Sequence, residues 1–204
     1  MAEVSIVDYG IGNTGSICNM FRKLAIQADV VSDPASLAIA SRLILPGIGA
    51  FDACMAALDR AGLRSAVLDF AAAQRPLLGI CVGMQMLTLD SEEGDTAGLG
   101  LIPAHTRRLP AGAGLRVPHM GWDAVRWLDT SQPLTRDFSS ECRYYFVHSF
   151  KVVCDSPQYS LATCTYGTEF SAAIVRGNIY GVQFHPESVL TPDGPALMGN
   201  FLKT

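Results

Sequence analysis

The chain has 204 residues, 49% of them hydrophobic and 17% charged, enough apolar material for one sizeable core and thin for two. Lysine plus arginine number 15 against 19 aspartate plus glutamate, a net charge of -4, and no basic tract is available to neutralise a run of phosphates, which argues against a nucleic-acid partner. The start, MAEVSIVDYG, lacks the basic region and cleavage site of a secretory signal, and the longest uncharged stretch, 76–89, falls short of the roughly 20 residues of a membrane span, so one cytoplasmic domain over 1–204 with no membrane association is expected.

In chain order, valine- and isoleucine-rich runs at 4–9, 28–32 and 42–47 predict strands, and longer patterns at about 14–27, 51–60 and 63–74 predict helices. A strand at 76–80 then runs directly into a helix opening at Cys81. Such alternation predicts a parallel sheet with helices on both faces. The glycines and prolines of 94–114 read as loop. Beyond them, shorter strands are expected around 116–128, 144–153, 160–166 and 171–184, the last with a hairpin turn at 176–178, and a final helix at about 195–202. The six cysteines (18, 54, 81, 142, 154 and 164) lack CxxC spacing and sit mostly among apolar neighbours, so free thiols and no structural zinc are expected.

The stretch PLLGICVGMQM (76–86) carries the first chemical signal. A strand that ends in G-x-C-x-G and turns at once into a helix has the layout of a nucleophile elbow with cysteine as the nucleophile. The turn needs φ > 0 at Cys81, and its neighbours two residues away, Gly79 and Gly83, must be small for strand and helix to approach. The helix N-terminus then favours a thiolate. An ordinary buried cysteine explains this segment equally well on its own.

A thiolate that attacks a carbonyl needs a base and proton donor, usually a histidine oriented by a carboxylate. Of the four histidines, His105 reads as structural or solvated, and His119 and His148 lie in the segments PHMGW and YFVHS, which have candidate roles of their own. His185 ends the apolar run YGVQF and is followed by Pro186 and Glu187. In extended chain, residues two apart share a side, so Glu187 reaches the ring nitrogen that His185 does not offer to the sulfur. Alone, this triplet is an ordinary surface turn; with the elbow it completes a triad. A second glycine-rich turn, LPGIGAF (45–51), offers an N–H from Gly47–Ile48–Gly49, which with the N–H of Val82 makes an oxyanion hole.

Together the three motifs PGIG (46–49), GICVGMQ (79–85) and HPE (185–187), in this order, resemble the class I, triad-type glutamine amidotransferases over essentially the whole chain. VDYGIGN (7–13), SEEG (91–94), RRLPAGAGLRVPHMGW (107–122) and YYFVHSF (144–150) resemble the branch formed by the glutaminase subunits of imidazole glycerol phosphate synthase. The resemblance implies an α/β fold of three layers, with a mixed, mostly parallel central sheet flanked by helices, flavodoxin-like. It implies that Cys81 attacks the amide of L-glutamine, with His185 and Glu187 completing the triad. It places Gly49, Gln85, Glu93 and the backbone at Ser149 and Phe150 at the substrate's amino-acid end, and it implies no cofactor and no metal.

The same resemblance implies a heterodimer with a (β/α)8-barrel cyclase that receives the ammonia, faced by Asn13, His119, Met120, Trp122 and Tyr145. Without it, Trp122 and Tyr145 read as core aromatics. Two positions depart from the pattern: Ser188 stands where a basic residue facing the cyclase is expected, and Phe150 where a tyrosine is common. Three rivals remain: a related glutaminase subunit in surface-sugar biosynthesis, a cysteine hydrolase or chaperone-like protein on the same scaffold, and a binding module with a decayed site.

Overall fold

The computed structural model describes residues 2–112, 114–139, 141–188 and 191–204. Its first half follows the predicted alternation: β1 (Val4–Val7), α1 (Thr14–Lys23), β2 (Ala28–Val31), α2 (Pro34–Ile39), β3 (Leu43–Gly47), α3 (Phe51–Arg60), α4 (Arg64–Ala72), β4 (Leu77–Cys81) and α5 (Val82–Met86). Helix α1 starts where the Asn13 side chain accepts from the Ser16 N–H, and it buries Ile17, Met20 and Phe21, one stripe of the 3.6-residue period. It stops at Lys23, short of the expected 27, because Ala25 turns left-handed at φ 58°. Helix α2 is an addition to the expected elements; its signal is Asp33-Pro34, a capping side chain that accepts from Ser36 N–H followed by proline in the first turn.

The second half comprises β5 (Asp90–Ser91), β6 (Ala104–Arg108), β7 (His119–Trp127), β8 (Glu141–His148), β9 (Phe150–Cys154), β10 (Ser160–Tyr166), β11 (Thr168–Arg176), β12 (Ile179–Val182) and α6 (Gly194–Phe201), with 3-10 turns at Pro133–Thr135 and Pro157–Tyr159. Strand β6 lies inside the segment read as loop; its alternating burial and its five-residue register with β9 make the strand that flanking glycines and prolines obscured. The run expected at 144–153 is two strands, since the chain changes partner at Ser149: β8 pairs with β7 and β9 with β6. The hairpin after Arg176 forms as expected, with Gly177 left-handed between β11 and β12.

These strands make one mixed sheet in the order β2-β1-β3-β4-β12-β11-β10-β7-β8, with β9, β6 and β5 branching from β11. The run β2-β1-β3-β4-β12 is parallel and the strands beyond it pair antiparallel, except β5, which lies parallel to β6. Strand β4 is buried along its whole length between β3 and β12. Two registers set the geometry at its C-terminal end: Gly47 lies opposite Cys81, and Val182 opposite Ile80. Because β12 runs parallel to β4, the chain leaves both strands at the same sheet end, and residues 183–185 emerge beside Cys81.

Helix α5 packs on β3 at backbone distance. A Cβ on Gly83 would collide with the carbonyl oxygen of Leu45, and one on Gly47 would lie 2.9 Å from the Val82 Cβ. Gly83→Ala is therefore expected to destabilise the fold by about 2 kcal/mol or more, lowering Tm by roughly 4–8 °C for a chain of this size. Thermal unfolding followed by circular dichroism checks this; an unchanged Tm would mean that α5 withdraws from β3 at no cost.

Candidate active site

Cys81 is the last residue of β4 and the cap of α5, with φ 56° and ψ −113°. The conformation expected of a nucleophile elbow is present, and its surroundings explain it. A Cβ on Gly79 would stand 2.6 Å from the Gly83 carbonyl oxygen, so both glycines are demanded by the contact between strand and helix. Helix α5 has only five residues, so few peptide dipoles align on the sulfur, and the cation that faces it is His185 instead.

The His185 ring donates from Nδ1 to Glu187 Oε1 at 2.9 Å. Burial opposes charge on the ring, but hydrogen bonds and attraction from the Cys81 sulfur and the Glu187 carboxylate outweigh it and raise its pKa to about 10. Glu187 is 6% exposed, and its Oε2 is buried with no hydrogen-bond partner among the described residues. The His185 N–H donates to the Tyr145 carbonyl, and its carbonyl accepts from Thr191 Oγ1. The triplet is thus tied to β8 on one side and to the approach to α6 on the other.

Gln183, two residues before His185, points the same way. Its Nε2 donates to Cys81 Sγ at 3.8 Å, and its Oε1 accepts from Gln85 Nε2 at 3.0 Å. Sequence reasoning missed this residue, although the spacing used to join His185 and Glu187 applies to it equally. Phe184 points the opposite way and stacks on Tyr144 at 3.9 Å.

A cavity of about 330 Å³ brings together Cys81, Val82, His185, Ile48, Gly49, Gln85, Glu93, Ser149 and Phe150, at the small end of ligand pockets. Gly47 adjoins it opposite Cys81. The elements hold these groups firmly. Glu93 Oε2 accepts from the Phe51 N–H at 2.8 Å and so caps α3. The Ser149 carbonyl accepts from the Leu109 N–H, and the Phe150 carbonyl from His148 Nδ1 at 2.7 Å. His148 itself stays neutral, since burial pushes its pKa down to about 3. Gln85 Oε1 is buried and has no partner among the described residues, which leaves a carbonyl acceptor and a carboxylate on the same cavity, a pair suited to an ammonium group.

A second cavity of about 310 Å³ is lined by Asn13, Tyr145, Val147, His185, Glu187 and Ser188, among others. Beside it, Met120 and Trp122 are 62% and 47% exposed, and Trp122 meets Tyr145 edge to face at 5.1 Å. Asn13, Met120, Trp122 and Tyr145 therefore share one face. His119 does not join them: it is 2% exposed and stacked between Phe146 and Tyr166, with Nδ1 at 3.0 Å from His148 Nε2. Alternation in β7 is the reason, since residues 120 and 122 face out and 119 faces in. His105 pairs with Asp90 and Asp155 at 2.8 and 3.2 Å, away from the cavity. All six cysteines are free thiols. No group of three or more His, Cys, Asp or Glu among the described residues is placed to hold a metal ion, and no described helix is long and apolar enough to cross a membrane.

Residues 5–204 match the family described as glutamine amidotransferase class-I. Similar curated proteins include the imidazole glycerol phosphate synthase subunit HisH of Bdellovibrio bacteriovorus, 44% identical over 188 residues that span 90% of this chain and 92% of that protein. Subunit HisH 2 of Methanococcus maripaludis is 43% identical over 202 residues, 98% of each chain. Among solved structures, PurLQS from Thermotoga maritima superposes with a TM-score of 0.77 at 19% identity, covering 98% of this chain and 97% of that one. A glutamine amidotransferase from Thermotoga maritima gives 0.63 at 20% identity, covering 98% and 80%. These two carry the fold alone.

The raised pKa of His185 has a readout independent of turnover. The folded state binds this proton more tightly than the unfolded chain, where the value is 6.5. The resulting stabilisation is complete below that pH and is lost as pH rises towards about 10. In an NMR titration the His185 ring should keep its proton through neutral pH in wild type, and Glu187→Gln, which removes an attracting charge, should lower the midpoint. An unshifted midpoint would detach Glu187 from the histidine.

Proposed function

The chain belongs to the class-I glutamine amidotransferase family, and from that premise we propose that it hydrolyses L-glutamine to glutamate and ammonia as the glutaminase subunit of imidazole glycerol phosphate synthase, in histidine biosynthesis. The observation that carries the chemistry is the left-handed Cys81 at the cavity wall, facing a His185 held by Glu187.

The amino-acid end of glutamine docks with its ammonium on Gln85 Oε1 and Glu93 and its carboxylate towards Gly49 and the backbone at Ser149 and Phe150. The Cys81 thiolate attacks the side-chain amide carbon, and negative charge moves onto the amide oxygen, to which the N–H groups of Val82 and of Ile48, on the Gly47–Ile48 peptide, donate hydrogen bonds. Protonated His185 gives its proton to the amide nitrogen as the C–N bond breaks, releasing ammonia and leaving a γ-glutamyl thioester on Cys81. Neutral His185 then takes a proton from water, whose oxygen attacks the thioester. Collapse returns the thiolate and frees glutamate. Glu187 keeps the imidazole oriented and stabilises its charge throughout.

Ammonia leaves towards a cyclase partner rather than bulk water, where protonation would remove its nucleophilicity. The second cavity supports that direction: it shares His185 with the substrate cavity and lies beside the exposed Met120 and Trp122. The reading assigns this face to a (β/α)8-barrel cyclase subunit, which uses the ammonia to make imidazole glycerol phosphate and aminoimidazole carboxamide ribonucleotide (AICAR). The assembled heterodimer works in the cytoplasm without cofactor or metal in this subunit.

Glutamate release measured for wild type and Cys81→Ser, each alone and with cyclase plus its ribonucleotide ligand, tests the chemistry. Wild type is expected to be slow alone and fast with the liganded cyclase. The mutant should lose at least about 10³-fold of the glutamine-dependent rate while the complex keeps ammonia-dependent synthesis. Glutamine turnover retained by Cys81→Ser removes the thiol from the mechanism, and turnover in wild type that ignores the cyclase removes the partner. Trp122→Ala tests the face separately: truncating an exposed aromatic anchor should weaken cyclase binding by roughly 30-fold in calorimetry, with Tm unchanged. Wild-type affinity in that variant would move the interface elsewhere.

A further inference from the structure

Three groups along the turn that leaves β3 are held by side chains from outside it. The Pro46 carbonyl accepts from the Tyr9 hydroxyl at 2.6 Å. The Ile48 carbonyl accepts from the Cys54 thiol at 3.3 Å. The Phe51 N–H donates to Glu93. Tyr9 lies just past β1 and Cys54 in the first turn of α3, both buried. Gly12 closes the far side of Pro46, since a Cβ there would stand 2.9 Å from the Pro46 Cγ.

Between the two held carbonyls lies one peptide, Gly47–Ile48. Rotation of this peptide about the line joining its two Cα atoms swings the Ile48 N–H while leaving both neighbouring carbonyls in place. The glycine at 47 makes such a rotation cheap, and Gly49 at φ 81° closes the turn behind it. Burial raises the pKa of both the Tyr9 hydroxyl and the Cys54 thiol, so each keeps the hydrogen it donates, and the two groups lie close enough to interact.

We propose that Tyr9 and Cys54 are positioning residues for the oxyanion hole: by pinning the carbonyls on either side of Gly47–Ile48, they confine motion of the turn to the one peptide that carries the Ile48 N–H. The proposal rests on the assignment of that N–H to the oxyanion. With both neighbouring carbonyls fixed, one rotation aims the donor at the place where charge develops, and a loosened strip misaims it. Cys54 thus has a use distinct from packing, although it resembles an ordinary small core residue.

The test is the kinetics of glutamine hydrolysis by the complex with liganded cyclase, for wild type, Cys54→Ala, Cys54→Ser, Tyr9→Phe and Ile48→Pro. Cys54→Ala and Tyr9→Phe are each expected to lower kcat roughly tenfold with KM for glutamine unchanged. Cys54→Ser should restore most of the loss, because its hydroxyl donates to the same carbonyl. A packing role reverses that order, since a buried serine hydroxyl costs more than alanine, and its losses would follow Tm. Wild-type kcat in both Cys54→Ala and Tyr9→Phe, beside a dead Ile48→Pro, overturns the clamp and leaves the oxyanion assignment standing. Wild-type kcat in Ile48→Pro overturns the oxyanion assignment and the clamp with it. If Cys54→Ala fails to fold, Tyr9→Phe decides alone, as it removes one oxygen and keeps the ring in its place.

Discussion

A non-glycine residue at φ 56° costs on the order of 1–2 kcal/mol, and Cys81 holds that conformation because β4 has no freedom to relax. In parallel register β3 pairs with it over the whole strand and β12 over all but Cys81. Above it, α5 packs so close to β3 and β4 that Gly47, Gly79 and Gly83 have no room for a side chain. The sulfur therefore projects from the end of a rigid, buried strand and not from a loop. The parallel order does the rest of the assembly. Strand β3 delivers the Gly47–Ile48 turn to one side of Cys81, and the chain leaving β12 delivers Gln183 and His185 to the other. An antiparallel neighbour in either place would carry its own chain end to the opposite edge of the sheet.

The electrostatics of the site result from that enclosure. Burial alone would leave His185 neutral at physiological pH, as it does His148, whose pKa falls to about 3. The two histidines differ in what faces them. His148 donates Nδ1 to a neutral carbonyl of Phe150 and meets another imidazole, His119, at Nε2. His185 faces a sulfur and a carboxylate, and its proton is held up to a pH of about 10. The same side chain in two largely enclosed places thus takes opposite charge states, decided by partners within hydrogen-bond reach. Only the charged one suits the departure of an amine, which needs a proton in hand.

Much of this is legible in the sequence because it is written in short-range spacing. The strand-cysteine-helix elbow needs two glycines at fixed offsets, and His185 and Glu187 share a side by period two, so both survive without tertiary information. What the sequence conceals is of a different kind. Strand β6 is a strand only because β9 pairs with it, and the change of partner at Ser149 breaks one apparent run into two. Glu93 caps α3 across 42 residues of chain, a contact with no local signature. His119 belongs to a motif that suggests the partner face, although the alternation of β7 puts it inside. There the period-two rule is the better guide, and the motif that contains the residue misleads. Gln183 is a similar case: the rule that joins 185 to 187 also reaches 183.

The substrate cavity and the second cavity both include His185 and Val147 in their walls. In the proposed reaction a glutamine on Cys81 fills the first, so its amide nitrogen is released at the imidazole and next to the second. The group that protonates the leaving nitrogen thus also stands on the route out. After transfer the ring is neutral, and the carboxylate of Glu187 still holds Nδ1, so the ring stays in place for the hydrolytic water. A proton donor in the wall between substrate and exit needs no moving part to separate the two steps. On the proposed mechanism, the direction of release follows from the side of the imidazole on which the product forms, a side that the register of β12 against β4 fixes.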